Sequence, residues 1–337
     1  MSKMVRRLIG AMLLGVAVYG VFVLYSGVGL IAHSFGDFAW WTFAAACALA
    51  FSNYLIRFFK WEYYLGVLGI RGVPRGESLL IFLSGFVLTV TPGKVGEVFK
   101  SLILKEIHDI PVERTAPIVI AERVTDLIGV ITLIALGSLS LPGGLVWASV
   151  GAGLVAALLI FISSATLSAR FLNALPRLPG ALGRGGAKIE SRVSIALHGL
   201  RDLTTPRRLI WPTLLSIAAW ALEGVALWMI LGGFHEHPPL TTTAFIYATA
   251  TLAGALVPVP GGLGVTDGLL KGQMAGLAHV AAPTATAAML LVRFATLWFA
   301  VAVGFIALAL LRARNPLLAA NGDGSETPAG AGIEKTP

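Results

Sequence analysis

The chain contains one cysteine, Cys47, set inside an apolar stretch, so neither a disulfide framework nor a cysteine-built zinc site is open to it. Charge is scarce as well. Charged residues make up 12% of the 337 residues, against about 25% in an ordinary soluble domain, and so few cannot cover a water-facing globule of this length. A Walker loop, a His-Glu-x-x-His pair and a Gly-x-Ser-x-Gly elbow are all missing, which removes the common signatures of ATP hydrolysis, zinc proteolysis and serine hydrolysis. The net charge of +8 has no RNA- or DNA-binding motif beside it, and the basic residues sit next to apolar runs, so nucleic acid is not the partner they indicate. His235 and His237 flank Glu236, but no further ligand stands near them; no metal site and no cofactor is assigned.

What is present is apolar. Hydrophobic residues make up 56% of the chain, and runs of about 20 of them, long enough to span a hydrocarbon core, alternate with short basic clusters. The runs near Leu8–Ile31, Phe38–Phe59, Ser78–Pro92, Ala116–Leu141, Leu145–Leu167, Leu209–Leu231, Thr241–Pro258 and Ala285–Leu311 predict membrane-embedded helices. The opening run is too long for a signal peptide and lacks a cleavage site, so it reads as a retained first helix. The third and seventh runs end in Pro-Gly, where a helix loses a hydrogen bond and breaks or turns.

Lysine and arginine set the orientation. They gather before the first run (Lys3, Arg6, Arg7), after the second (Arg57, Lys60, Arg71, Arg75), from Arg170 to Arg208, and after the last (Arg312, Arg314). The connections Ala32–Asp37, Pro142–Gly144 and Gly232–Leu240 hold none. Both termini are therefore expected in the cytoplasm. Keeping Lys94, Lys100, Lys105 and Arg114 on that side makes the third run re-entrant from the cytoplasm, and the same count makes the seventh re-entrant from outside. The expected fold is an all-α polytopic membrane protein of about six full crossings plus two re-entrant broken-helix hairpins.

The two breaks resemble each other. TPGKVGEVFK at Thr91–Lys100 and VPGGLGVTDG at Val259–Gly268 align Pro92 with Pro260, Gly93 with Gly261 and Gly96 with Gly264, and an intramembrane arginine follows each at nearly equal distance, Arg123 and Arg293. Like segments entering from opposite faces define an inverted-topology repeat, whose substrate site lies where the broken helices meet. On this reading residues 1–168 form the first membrane repeat and 169–208 a cytoplasmic linker. Residues 209–314 complete the second repeat, 145–167 supplying its first helix, and 315–337 form a disordered tail. A helix restarting after Pro-Gly-x-x-Gly offers unpaired N–H groups and a positive dipole end to an anion.

Ionisable groups at membrane depth cost about 2.5–3.5 kcal/mol each, so a chain keeps them where they are paired or useful. Lys94, Gly96, Arg123, Gly264 and Arg293 are the candidate binders of an anionic headgroup. Glu97, Glu122, Asp126, Glu223 and Asp267 are candidates for balancing charge or carrying protons. Arg123 and Asp126 stand i,i+3 and can pair locally; holding the bundle together is as good an account of that pair as binding. Glu97 and Asp267 can equally cap the helices that restart beside them. Glu223 and Arg293 have no opposite charge nearby in sequence and need a tertiary partner or a watery cavity.

The three segments TPGKVGEVFKSLILK, AERVTDLIGV and PVPGGLGVTDG together resemble the lysylphosphatidylglycerol synthase transmembrane family, also called flippase-like membrane proteins. The resemblance runs to about Arg314. It implies movement or binding of a polar-headgroup lipid in a bacterial inner membrane, with lipid-biosynthesis proteins as possible partners. Lysyl transfer is not expected, since the aminoacyltransferase domain of the full-length synthases is not in this chain. A lipid flippase or transporter is thus the expected function; the alternatives are an integral-membrane transferase acting on a lipid carrier and a non-transporting scaffold.

Overall fold

The computed structural model describes residues 17–25, 27–90, 96–141, 144–163, 199–200, 202–257 and 259–315. Among them the secondary structure is helical: α1 (Ala17–Tyr25), α2 (Val28–Gly36), α3 (Trp40–Val67), α4 (Arg75–Ser84, continued by a 3-10 turn Gly85–Leu88), α5 (Gly96–His108), α6 (Val112–Ser138), α7 (Gly144–Ser163), α8 (Pro206–Gly233), α9 (Leu240–Leu256), α10 (Val265–Leu277), α11 (Ala282–Arg293) and α12 (Phe299–Arg314). A π-helical turn, Phe294–Trp298, joins the last two into one 33-residue span. That span, α3 and α8 are the three described helices both long and apolar enough to cross a membrane. By length α6 would also reach, but it carries Glu113, Arg114, Glu122, Arg123 and Asp126. Of the linker assigned from sequence, residues 169–198 and 201 lie outside the described residues, as does the tail from 316.

Two boundaries differ from the sequence reading. The first apolar run is bent by 90° between α1 and α2, next to Gly27 at φ +86°, and is not one straight helix. The second does not stop at Phe59. From Trp40 to Leu65 the chain holds neither glycine nor proline, and α3 continues to Val67, ending where Gly69 takes φ +66° and the N–H groups of Gly69 and Ile70 turn back to the carbonyls of Gly66 and Leu65. Glycine adopts that left-handed conformation without a Cβ penalty, which closes the helix. Arg57 and Lys60, read from sequence as loop residues marking the cytoplasmic side, are therefore inside α3, and Lys60 is fully buried.

The packing is reciprocal between two series of helices. α3, α4 and its 3-10 turn, α5 and α6 come in the same order as α8, α9, α10 and the α11–α12 span. α3 and α8 have 28 residues each, and α5 and α10 have 13 each. α3 packs on α8, α6 of the first series packs on α9 of the second, and α12 of the second packs on α4 and its 3-10 turn. α7 lies on α6 as α2 lies on α11. Glycines bring these pairs together. A Cβ on Gly137 of α6 would stand 2.7 Å from Thr241 O, and one on Gly304 of α12 would stand 2.6 Å from Val87 N. Small residues let backbones approach in this way where lipid supplies no hydrophobic force between helices.

The two ends of the bundle differ in charge. One end collects the C-termini of α3, α5 and α12 with the N-termini of α4, α6 and α8, as His108–Glu77, Asn315–Glu77, Tyr63–Arg208 and Arg114–Leu68 contacts show. Exposed Arg71, Arg75, Lys105, Arg114, Arg207, Arg208, Arg312 and Arg314 lie there. Tyr63 donates to the carbonyl of Arg208, the acceptor left without its helical donor by Pro212 four residues on. The opposite end, held by Ala39–Gly233, Ser140–Thr241 and the Phe35–Phe234 and Phe38–Phe234 ring contacts, has no lysine or arginine among its described turns.

Candidate functional site

A cavity of about 170 Å³ lies at the centre, where α3, α6 and α8 meet the two irregular segments after α4 and α9. Four cations line it, Arg57, Lys100, Arg123 and Arg293, together with the carboxylates Glu122 and Glu223. Gly85, Phe86 and Thr89 come from the 3-10 segment before the first Pro-Gly motif. Gly261, Gly262 and Thr266 come from the second motif. Residues far apart in sequence and drawn from both series thus share one wall.

The charges are held by long-range pairs. Asp126 reaches across to α3, where Lys60 Nζ stands 2.6 Å and Arg57 Nη2 2.8 Å from its two oxygens; Ser216 also donates to it from α8, at 3.0 Å. Lys100 Nζ meets Glu122 Oε2 at 2.5 Å and lies 4.4 Å from the centre of the Trp61 ring. Both arrangements supply in the interior the compensation that water would give outside. Lys100, expected at the cytoplasmic surface from its sequence context, is instead 3% exposed, because the apolar face of α5 packs against the 3-10 turn and α6 and carries it inward.

The second motif is built around Arg293. Its Nε stands 2.7 Å from Asp267 Oδ1 and its Nη2 donates to Gly261 O at 2.6 Å. Asp267 Oδ2 in turn accepts the N–H of Gly264 at 2.8 Å, capping α10. The three glycines Gly261, Gly262 and Gly264 all have positive φ, the conformation that lets the chain turn from a 3-10 step into α10. Of the roles open to Asp267 in sequence, balancing charge, carrying a proton or capping a helix, the fold shows charge pairing and capping together. The Gly264 amide that sequence offered to an anion is engaged by the protein's own carboxylate. Of the candidate binders, Arg123 and Arg293 line the cavity and Gly264 does not. Pro260 opens the 3-10 step beside it.

Glu223 is 6% exposed and is held by neutral groups: Asn53 Nδ2 donates to Oε1 at 2.6 Å and Tyr247 OH to Oε2 at 3.0 Å. Arg57 and Glu223 stand at equivalent places, the same number of residues from the starts of α3 and α8. Around them lie buried polar atoms without a hydrogen-bond partner among the described residues: Asn53 Oδ1, Glu122 Oε1, Trp220 Nε1 and Thr251 Oγ1. All four residues line the cavity. Buried polar atoms are rarely left unmatched, so this wall is suited to a polar ligand or water. Tyr54 OH donates to Thr296 O within the π-helical turn, an element that often marks functional sites.

Sequence reasoning placed Arg123, Glu122, Glu223, Arg293 and Gly261 in one site, and all five line this cavity. It missed Arg57 and Lys100 in the wall, Lys60 behind it, and the uncharged Asn53, Trp220, Tyr247 and Thr251. For Arg57 and Lys60 the unbroken run to Leu65 was the available signal; for the neutral residues there was none. Pro92, Gly93 and Lys94 lie outside the described residues, as does the side chain of Glu97, while Gly96 begins α5.

Helices of membrane-crossing length around a buried, charged cavity define a polytopic helical membrane protein with an internal polar site. The chain belongs to the family described as the lysylphosphatidylglycerol synthase TM region, which matches residues 12–304 and so includes both Pro-Gly motifs, Arg123 and Arg293. It is also similar to two UPF0104 membrane proteins of Methanothermobacter thermautotrophicus (strain Delta H). One is 29% identical over 126 residues, covering 36% of this chain and 37% of that relative. The other is 26% identical over 275 residues, covering 74% of this chain and 77% of the relative. The chain thus spans little more than a third of the first relative's length and about three-quarters of the second's.

Proposed function

We propose that this protein moves a lipid with a polar, anionic headgroup across a bilayer, holding the headgroup in the central cavity while the hydrocarbon chains stay in the membrane. The observation that carries this reading is the cavity wall itself. Four cations face two carboxylates there, beside unpartnered donors on Trp220 and Thr251, at a depth where such groups are expensive unless they serve a ligand. Exposed Leu136, Leu154, Phe305 and Ile306 suit the helix surfaces to hydrocarbon. Exposed Trp40 and Trp41 near one end and Trp211 near the other suit the two interfaces.

The matching order, lengths and packing of the two helix series support an inverted repeat, with α4–α5 and α9–α10 as re-entrant hairpins and about six full crossings. The meeting of Glu77 with His108, near the start of α4 and at the end of α5, supports a hairpin that returns to its own side. The collection of basic residues at one end supports placing that end, with both termini, in the cytoplasm.

The test is vesicle reconstitution with fluorescent phosphatidylglycerol and a membrane-impermeant quencher. The expected result is that protein-containing vesicles expose the inner-leaflet label while the lipid's mass stays unchanged, and that Arg123→Ala slows this by about tenfold, as loss of a charged contact implies. Label movement no faster than in protein-free vesicles overturns the reading. A changed lipid mass does so in favour of a transferase.

A further inference from the structure

Among the described residues four carboxylates stand in or directly behind the cavity wall, and three have a cation at ion-pair distance: Asp126 with Arg57 and Lys60, Glu122 with Lys100, Asp267 with Arg293. Glu223 has a different environment. Its two described partners, Asn53 and Tyr247, are uncharged donors. The ionisable groups that line the cavity with it are Tyr54 and Arg57 on α3, Lys100 on α5, Glu122 and Arg123 on α6, Tyr247 on α9 and Arg293 at the end of α11, while Lys60 of α3 and Asp126 of α6 meet α8 at Ser216. Arg57 and Arg293 are each engaged by a carboxylate of their own. A buried carboxylate without a cation of its own is the one whose charge the fold compensates least.

Asn53 connects this group to the ligand space. Its Nδ2 donates to Glu223, while its Oδ1 is buried, has no hydrogen-bond partner among the described residues and belongs to a residue that lines the cavity. An ionised Glu223 accepts hydrogen bonds only, so it holds the amide with N–H inward and leaves the carbonyl, the negative end of the dipole, for the cavity. A protonated Glu223 can donate its O–H to that carbonyl, and the amide then turns its NH2 group to the cavity. One proton taken from water therefore removes a negative charge from the wall and replaces an acceptor with a donor. Both changes favour an anion.

We propose that Glu223 is a proton-binding site linked through Asn53 to the anion site of the cavity, so that an anionic headgroup and a proton are taken up together. This rests on the reading of the cavity as an anionic-headgroup site. The step makes and breaks no bond other than O–H, carboxylate and proton giving carboxylic acid. Linkage requires that the proton raise the affinity for the anion by the same factor as the anion raises that for the proton.

The experiment is calorimetric binding of dioctanoyl phosphatidylglycerol to the purified full chain, repeated in buffers of different ionisation enthalpy to count protons taken up per lipid bound. The wild type is expected to take up protons on binding and to lose affinity as pH rises, by up to about tenfold per pH unit. Glu223→Gln should bind with an affinity near the wild type's acid value, unchanged by pH and without proton uptake. Asn53→Leu, which keeps Glu223 but removes the amide, should retain binding with a weakened pH dependence. Proton uptake that persists in Glu223→Gln overturns the assignment. Should that variant not fold, the wild type decides alone, because lipid bound without proton uptake defeats the inference while leaving the cargo reading intact. No binding at any pH defeats the cargo reading and this inference with it.

Discussion

The α3–α6 series and the α8–α12 series place helices alike and charges unlike. Among the described residues the first contributes Arg57, Lys60, Lys100 and Arg123 with Glu122 and Asp126, and the three ion pairs of Arg57, Lys60 and Lys100 are all made within that series, two between α3 and α6 and one between α5 and α6. From the second, Glu223, Asp267 and Arg293 stand at or behind the cavity wall among the described residues. Where α3 turns Arg57 to the cavity, α8 turns Glu223 to it from the equivalent position. Two helix series alike in order and length therefore carry an asymmetric electrostatic lining, cationic on one side and with a neutral-held carboxylate on the other. The backbone arrangement follows from packing, which both series solve with the same small-residue contacts. The chemistry is set by side chains that packing leaves free to differ.

That contrast can be broken most forcefully in the first series. Asp126→Asn leaves the buried Lys60 and the half-buried Arg57 without their carboxylate, and removing one partner of a buried pair costs about 3–5 kcal/mol; a large drop in the unfolding temperature in detergent is the expected reading. In the second series Asp267→Asn strands one cation where Asp126→Asn strands two, and it also loosens the cap of α10, so a loss of about 3 kcal/mol is expected. The double variant Asp267→Asn with Arg293→Met should recover part of it, since no charge is then left unpaired. A double variant no more stable than the sum of the singles predicts would show that the pair is not coupled. The smallest effect falls on the shared scaffold. Gly137→Val and Gly304→Val each press a side chain into the facing backbone and should cost about 1–3 kcal/mol apiece. Similar losses at both would sharpen the picture of equivalent packing; a loss at one alone would break it.

Much of this was legible before any coordinates. The apolar runs announce helices, and the two Pro-Gly-x-x-Gly stretches with their trailing arginines mark the irregular segments that border the cavity. Glu122, Arg123, Glu223 and Arg293 stand out because charge at membrane depth has no cheap explanation. Arg57 and Lys60 did not stand out. A basic residue near the end of an apolar run has the same local signature whether it anchors at the interface or turns inward, and the extra turns of α3 beyond Phe59 decide which. Lys100 was hidden in the same way. Asn53, Trp220, Tyr247 and Thr251 are ordinary polar punctuation in apolar helices until a partner faces them.

The amino-acid order by itself determined a helical membrane protein, the Pro-Gly sequences where apolar runs are interrupted, and that Glu122, Arg123, Glu223 and Arg293 are charges carried into the apolar interior. These are local matters of hydropathy, backbone hydrogen bonding and glycine conformation, each settled within a few turns. Only the tertiary structure decided which charge meets which. Lys60 and Asp126, Asn53 and Glu223, and Gly261 and Arg293 are 66, 170 and 32 residues apart, and a contact between such distant groups exists only once helix packing has closed the loops between them.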